Sequence, residues 1–341
     1  MLASSAFLAS ASSTFTLQES ILSSNKSVSN QSVASTEIVW EALPSSPIPA
    51  SNKQHIRKAW DKLMTTKHAS LLQSRTQCDV DKARLLAASS SHSGDYWLHA
   101  PPITSIGLRL SDEAVRLAVA RRLGCKASEP HTCTCGNPVD ARGLHGLSCR
   151  KYSPRQQRHS SMIGIVWRAV KRAQIPATKE PANLILQSGR RPDGSTLIPW
   201  SRGRPMAWDV TVPDTYAESH IGDTATEAGA AVNHAAANRI DKYDELADTH
   251  IFYPVAIETV GTWKHWAVEL DREIGRRATF ITGKPRESTF LWQQLSAGRG
   301  RQDHRITAEK VEIFSDDTNS QICPDSYRDF LLSALFFADC L

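Results

Sequence analysis

Four side chains that bind soft metals fall within 17 residues: Cys133, Cys135, His145 and Cys149, spaced C-x-C-x9-H-x3-C. Three thiolates and one imidazole are a donor set that zinc takes in closed, tetrahedral structural sites. Gly136, Pro138 and Gly143 supply turns between the ligand pairs. The plain alternative is ordinary buried thiols beside a surface histidine, and His131 and Cys125 lie close enough to substitute for a ligand. The pattern predicts a structural zinc ion.

A second kind of chemistry is open to two carboxylates. Asp193 lies in RRPDG and Asp209 in AWDVTV. Placed at the ends of neighbouring strands, they could share a magnesium or manganese ion, which takes one or two carboxylates and completes its shell with water and phosphate oxygens. Such an ion polarises a phosphate and lowers the pKa of an attacking water, and a nearby lysine would stabilise developing charge. Against this, Pro-Asp-Gly is a common turn, and a lone strand Asp is commonly a satisfied buried group.

The 341 residues must also position these groups. They suffice for one to three domains, with no run of 18 apolar residues to span a membrane. Between Arg142 and Arg204, 13 Lys and Arg face only Glu180 and Asp193, a local net of +11, while the remaining 27 basic and 33 acidic residues leave −6. A concentrated basic segment attracts polyanions by counterion release; the bland alternative is a solvated basic face. The opening MLASSAFLASASSTF has no basic start and no clean apolar run, so the expectation is a chain kept inside the cell. Seven cysteines, odd in number and unevenly placed, also suit a reducing compartment.

Periodicity supplies the elements. The first fifty residues are Ser-rich and predict loose helix or disorder. Helices are expected over 52–74 and 80–88, then over 112–123 with Ser111 as N-cap, Gly124 as stop and Val115, Ala118, Val119 and Leu123 as the apolar stripe. Ser160 is expected to cap a helix to about Gln174, with Met162, Ile163, Val166, Val170 and Ala173 inward and Arg168, Lys171 and Arg172 outward. Strands follow near 183–187 and 207–212, the second alternating with Val210 and Val212 on one face. An Ala-rich helix over 223–248 precedes the strand IFYPVAIET, ended by Gly261. Beyond it come a helix near 267–277, a Gly-Arg loop at 297–301 and an apolar tail, SYRDFLLSALFFADC, suited to a packed helix or a partner.

From Leu85 to Trp263 the chain resembles the C-terminal region of reverse-transcriptase polyproteins from non-long-terminal-repeat retrotransposons. There a Cys-Cys-His-Cys knuckle precedes a restriction-like endonuclease of the PD-(D/E)XK superfamily. The matching text is CTCGNPVDARGLHGLSC, RQQRH, KEP, RRPDG, WDVTV, DKYDEL and FYPVAIETVG. The resemblance implies an α/β fold, a restriction-endonuclease-like αβββαβ core preceded by a small zinc knuckle and a helical N-terminal region. It assigns metal binding to Asp193 and Asp209. The superfamily's lysine usually stands two residues after the second acid, where this chain has Thr211. In the retrotransposon branch it moves to the next helix, near a Lys-Tyr pair that Lys242 and Tyr243 match, and Arg239 stands one turn earlier where a lysine is often seen. An arginine holds its proton too firmly to act as a base. Glu180 of KEP is a candidate auxiliary carboxylate, with a plain connector as its alternative. His159 is a candidate phosphate contact, weighed against capping or core packing.

The expected organisation is a connector over 1–90, a helix and knuckle over 91–150, a nuclease core over 151–266 and a helical extension over 267–341. The expected activity is magnesium-dependent nicking of DNA, with Arg155, Arg158, Arg190 and Arg191 steering the backbone. RNA is an alternative ligand, and a reverse transcriptase acting in trans is the implied partner. The resemblance alone implies a nuclear location. No Tyr-x-Asp-Asp motif occurs, so a fragment, decayed copy or stand-alone remnant is expected. Two other readings stay open: a non-catalytic zinc-knuckle module that binds nucleic acid, and an inert, poorly folding polyprotein segment.

Overall fold

The computed structural model describes Thr66 and residues 69–90, 96–149, 151, 153–185 and 189–308, with side chains omitted at 153–155 and 300–308. Thr76–Ile322 forms one compact unit; Met1–Arg75 with Cys323–Leu341 forms another, in which the described residues are helical. Most of the helix expected over 52–74, and all of the apolar tail, lie outside the described residues. No helix among the described residues is long and apolar enough to cross a membrane.

Two helices open the larger unit, α1 (Asp79–Ser89) and α2 (Asp112–Leu123). Ser111 caps α2 by accepting from the Ala114 amide at 3.2 Å, and Gly124 ends it at φ 73°. The buried face of α2 is Ala114, Leu117, Ala120 and Leu123. Of the expected stripe Leu123 is buried, Ala118 and Val119 are half-buried and Val115 is exposed, because apolar residues occur all round this helix and its spacing alone does not single out one face.

A small module follows: hairpin strands β1 (His131–Thr132) and β2 (Pro138–Val139), then the single turn α3 (His145–Ser148). Next comes α4 (Ser153–Arg172), which begins a full two turns before Ser160. Ser160 is therefore inside the helix rather than its cap, and Pro154 takes an early position where a missing N–H costs nothing. The inward residues expected of α4 are all buried, joined by Ile165 and Ala169.

A mixed sheet then forms from β3 (Ala177–Lys179), β4 (Gly194–Thr196), β5 (Met206–Thr211) and β6 (Ile251–Ala256), in that spatial order. The first two pairings are antiparallel and β5–β6 is parallel. The strand expected near 183–187 is not found over its described part: residues 182–185 form turns and bends, and Asn183 has φ 59°. Its place is taken by β3 and by β4, which starts at the Gly of Pro-Asp-Gly. A Cβ at Gly194 would lie 2.0 Å from the Trp208 ring, so that glycine serves close strand packing rather than a turn.

Strand β5 is central, and its Met206, Ala207, Trp208, Asp209 and Val210 are all buried, so the expected inside–outside alternation becomes burial on both faces. Met206, Trp208 and Val210 join the main core with α4, α7 (His265–Thr282) and α8 (Glu287–Ala308). Ala207 packs on the opposite side with Tyr243 and Leu246. On that side the single Ala-rich helix expected over 223–248 is three pieces: α5 (Ile221–Thr224), α6 (Ala230–Lys242) and a 3-10 turn (Asp244–Leu246). Gly229, at φ 87°, interrupts it. The order across the unit's centre is thus helix, three strands, helix, strand. The loop expected at 297–301 lies within α8, where Gly298 allows close approach to Ile165 of α4. Arg172 and Glu287 join α4 to α8 through two bonds of 2.6 and 2.8 Å.

Asp271, on the buried face of α7, is 3% exposed, and neither carboxylate oxygen has a hydrogen-bond partner among the described residues. Burial raises its pKa well above the ordinary carboxylate value. The folded chain therefore keeps a proton that the unfolded chain releases. This contribution to stability is whole below the unfolded pKa of about 3.9 and is lost as pH rises towards the folded one. Asp271→Asn should accordingly be more stable than wild type at pH 8, by about 1 kcal/mol or more. The gain should shrink towards pH 5, and urea unfolding of both proteins at the two pH values measures it. A gain independent of pH would remove the titration from the explanation.

Candidate functional site

In the small module, the ligand atoms of Cys133, Cys135, His145 and Cys149 all lie within 4.8 Å of one another. The Cys133 amide donates to the Asn137 carbonyl at 2.9 Å and the Gly136 amide to the Cys133 carbonyl at 2.8 Å, which closes the turn carrying the first pair. His145 and Cys149 are four residues apart, so one turn of α3 puts them on the same side. Cys133 and Cys149 sulfurs are 3.7 Å apart and both cysteines are free thiols. An edge of a tetrahedron with ~2.3 Å metal–sulfur bonds is ~3.8 Å. The Cys135 sulfur to His145 Nε2 distance is 3.1 Å, shorter than the ~3.6 Å edge of the same tetrahedron. The donor set and three-dimensional cluster fit one metal ion.

Backbone bonding at Cys135 lowers the Cys133 thiol to about 6 and burial pushes Cys149 up to about 11, so Cys133 gives up its proton first. Neither His131 nor Cys125 belongs to the cluster; His131 Nδ1 lies 2.9 Å from the Glu129 carbonyl instead.

The carboxylates meet at the middle of the sheet. Asp193 directly precedes β4, whose Gly194 pairs with Trp208 of β5. Its Oδ2 accepts from the Val210 amide at 2.6 Å, which binds it to the residue after Asp209. Asp209 points to the α6 side, where the Tyr243 hydroxyl lies 2.7 Å from Oδ1 and Arg239 Nε lies 3.2 Å from Oδ2. Oδ2 is buried and accepts no hydrogen bond among the described residues. Burial, then the nearby Asp193 charge, raises the Asp209 pKa, with Arg239, Tyr243 and Lys242 opposing.

No protein-family model matches this chain, and no curated protein matches its sequence. The site's chemistry therefore rests on its own geometry.

Lys242 reaches the pair through Tyr243: its Nζ donates to the tyrosine hydroxyl at 2.8 Å and sits 4.5 Å from the ring centroid. The hydroxyl has one proton and two acceptors at 2.7 Å, Asp209 Oδ1 and the Arg191 carbonyl. Burial raises the tyrosine's pKa, so it remains a neutral donor. His159 Nε2 lies 2.9 Å from the Val210 carbonyl and 3.4 Å from Asp193 Oδ2. The bond to Asp193 raises its pKa. Tyr243 and His159 thus contact the pair directly. Tyr243 entered the sequence reading only as a motif partner, and its hydroxyl's reach across 34 residues leaves no local signal.

The other expected site residues divide. Arg190 is exposed and donates to the Lys242 carbonyl at 3.0 Å, and Arg191 is exposed beside it. Glu180 is exposed and touches the site through its backbone, its amide donating to the Asp193 carbonyl at 3.0 Å. Arg158 is 1% exposed and donates to the Leu147 carbonyl at 3.2 Å. That burial gives it the task of joining α4 to α3, and it offers no surface to a DNA backbone. The side chain of Arg155 lies outside the described residues.

Proposed function

We propose that this chain is a metal-dependent DNA endonuclease of retrotransposon origin, with a restriction-like core and a zinc knuckle. The observation that carries the reading is Asp209 Oδ2, a buried oxygen that accepts no hydrogen bond among the described residues, beside a second carboxylate just before the neighbouring strand. Magnesium or manganese would be held there by Asp193 and Asp209. When bound, the ion would polarise a phosphodiester and acidify a water. The chain's own groups do the rest. Tyr243 holds one Asp209 oxygen in place, Lys242 places positive charge one hydroxyl away, and Arg190 and Arg191 offer sequence-independent contacts to phosphates. Zinc in the Cys3His cluster would be structural, since four protein ligands leave no open position. A reverse transcriptase in trans and a nuclear location belong to the same proposal.

A second reading is favoured by Arg239, whose guanidinium is paired with the oxygen that a metal would need. If that ion pair persists, the chain binds nucleic acid without cutting it. Supercoiled-plasmid nicking by the purified chain separates the two. Open circles that need magnesium or manganese are expected; a folded, DNA-bound chain that never nicks supports the binding module.

A further inference from the structure

We propose that the outer face of α4 and the end of β3 form a further nucleic-acid contact, where Arg168, Lys171 and Lys179 hold the phosphate backbone of DNA that passes the Asp193–Asp209 pair. The choice of polyanion rests on the nuclease reading. All three cations are exposed. Trp167 gathers two of them, with Lys179 Nζ at 4.8 Å and Lys171 Nζ at 5.6 Å from its ring centroid. The half-buried ring is itself fixed, its Nε1 donating to the Ala177 carbonyl of β3 at 3.0 Å. Arg168 comes to the same place over Gly164, where a Cβ would lie 3.3 Å from Arg168 Nη1 and 3.8 Å from Lys179 Nζ.

An aromatic ring orients a cation through its quadrupole and carries no net charge. The positive charges it gathers therefore stay available to an anion. Arg172, next on the helix, is spent on Glu287. No carboxylate pairs with the other three among the described residues. Like charges held this close favour a polyanion, whose binding releases condensed counterions. Position selects the occupant. Lys179 pairs in register with Gly194, the residue after Asp193, and the Glu180 amide donates to the Asp193 carbonyl at 3.0 Å. One strand spacing, about 5 Å, thus separates the backbone beneath the cluster from that beside the carboxylates. Arg190 reaches the Lys242 carbonyl of α6, on the other face of the sheet from α4. Cations accordingly flank the pair from both faces, as a backbone crossing it requires, and neither an acidic peptide nor a lipid surface accounts for that placement.

The test measures the affinity of the full chain for a DNA duplex over a salt series without divalent metal, so that binding is read independently of cleavage. The double variant Lys171→Gln/Lys179→Gln should bind roughly tenfold or more weakly, to the same extent for unrelated sequences. Its log–log salt slope should be smaller by about 2, since each phosphate contact contributes about 0.9. Arg168→Gln alone should remove about 1 from the slope. Arg276→Gln, which loses an exposed α7 cation paired with Glu273, should leave the slope unchanged. Unfolding midpoints check that these surface variants stay folded. A wild-type slope in the double variant and in Arg168→Gln overturns the surface, whether or not the chain nicks DNA. A chain that never nicks but shows the expected slopes keeps the surface and removes the nuclease. Binding to vesicles of phosphatidylserine and phosphatidylcholine that is lost in the double variant, with the duplex unbound, overturns the proposal in favour of a membrane.

Discussion

Asp209→Asn should lower metal-dependent nicking by on the order of 10²-fold or more while the chain stays folded. The ion's charge stabilisation is worth several kcal/mol, and each ~1.4 kcal/mol of barrier is tenfold in rate. Asparagine keeps the shape of Asp209 and can still accept from Tyr243 through its carbonyl oxygen. It removes the charge that a divalent ion requires and that Arg239 currently faces at 3.2 Å. Stability should not fall in step, because burial and the neighbouring Asp193 already disfavour the carboxylate form of Asp209. The measurement is plasmid nicking with magnesium and with manganese, beside thermal unfolding and DNA affinity. A variant that nicks like wild type would remove Asp209 from the chemistry. A variant that loses nicking only because it unfolds would show up in the melting curve, and Asp193→Asn then supplies the second comparison.

How much of this was legible in the sequence depends on the distance over which each feature is decided. The cap at Ser111, the stop at Gly124 and the strand core of β5 are local, and they fall where periodicity and turn chemistry place them. The four candidate metal ligands are almost as local, since the cluster closes within 17 residues. The short strands β3 and β4 were missed because three residues carry no period. What makes Gly194 a strand residue is the Trp208 ring laid across it, a contact invisible until the pairing is known. The break at Gly229 and the unbroken helix through Gly298 are opposite outcomes for the same residue type. In the first the backbone needs a positive φ, whereas in the second α4 comes close enough to exclude a side chain. Arg158 shows the limit of charge counting: it belongs to the basic segment, yet its side chain is spent inside the molecule on a carbonyl of the knuckle.

Removal of the metal from the Cys3His cluster should unfold the knuckle and weaken the core beneath it. The knuckle's own apolar cluster is Cys133, Val139 and Cys149 with Cys135 against them, so three of its four members are candidate metal ligands. Without the ion these thiols must titrate separately, and little else spans the hairpin and α3. For isolated zinc-finger peptides, apparent binding energies of about 10–16 kcal/mol are folding energies. The effect reaches the core through the Arg158 bond to Leu147 in α3, because a melted α3 leaves a buried guanidinium short of an acceptor. A lost bond to a charged group costs about 1–3 kcal/mol, and for a unit of this size each kcal/mol is worth about 2–4 °C. The expected result is one zinc per chain by elemental analysis, released by a strong chelator, with protease cutting across residues 131–149 and an unfolding midpoint lower by several degrees. Hydrogen exchange should accelerate first at the amides of Cys133, Gly136 and Cys149, whose bonds close the ligand turns. Cys135→Ser should reproduce the loss of metal and of protection without chelator. A chain that carries no zinc when grown with it, and whose proteolysis ignores the chelator, would leave the four side chains as ordinary thiols and a histidine.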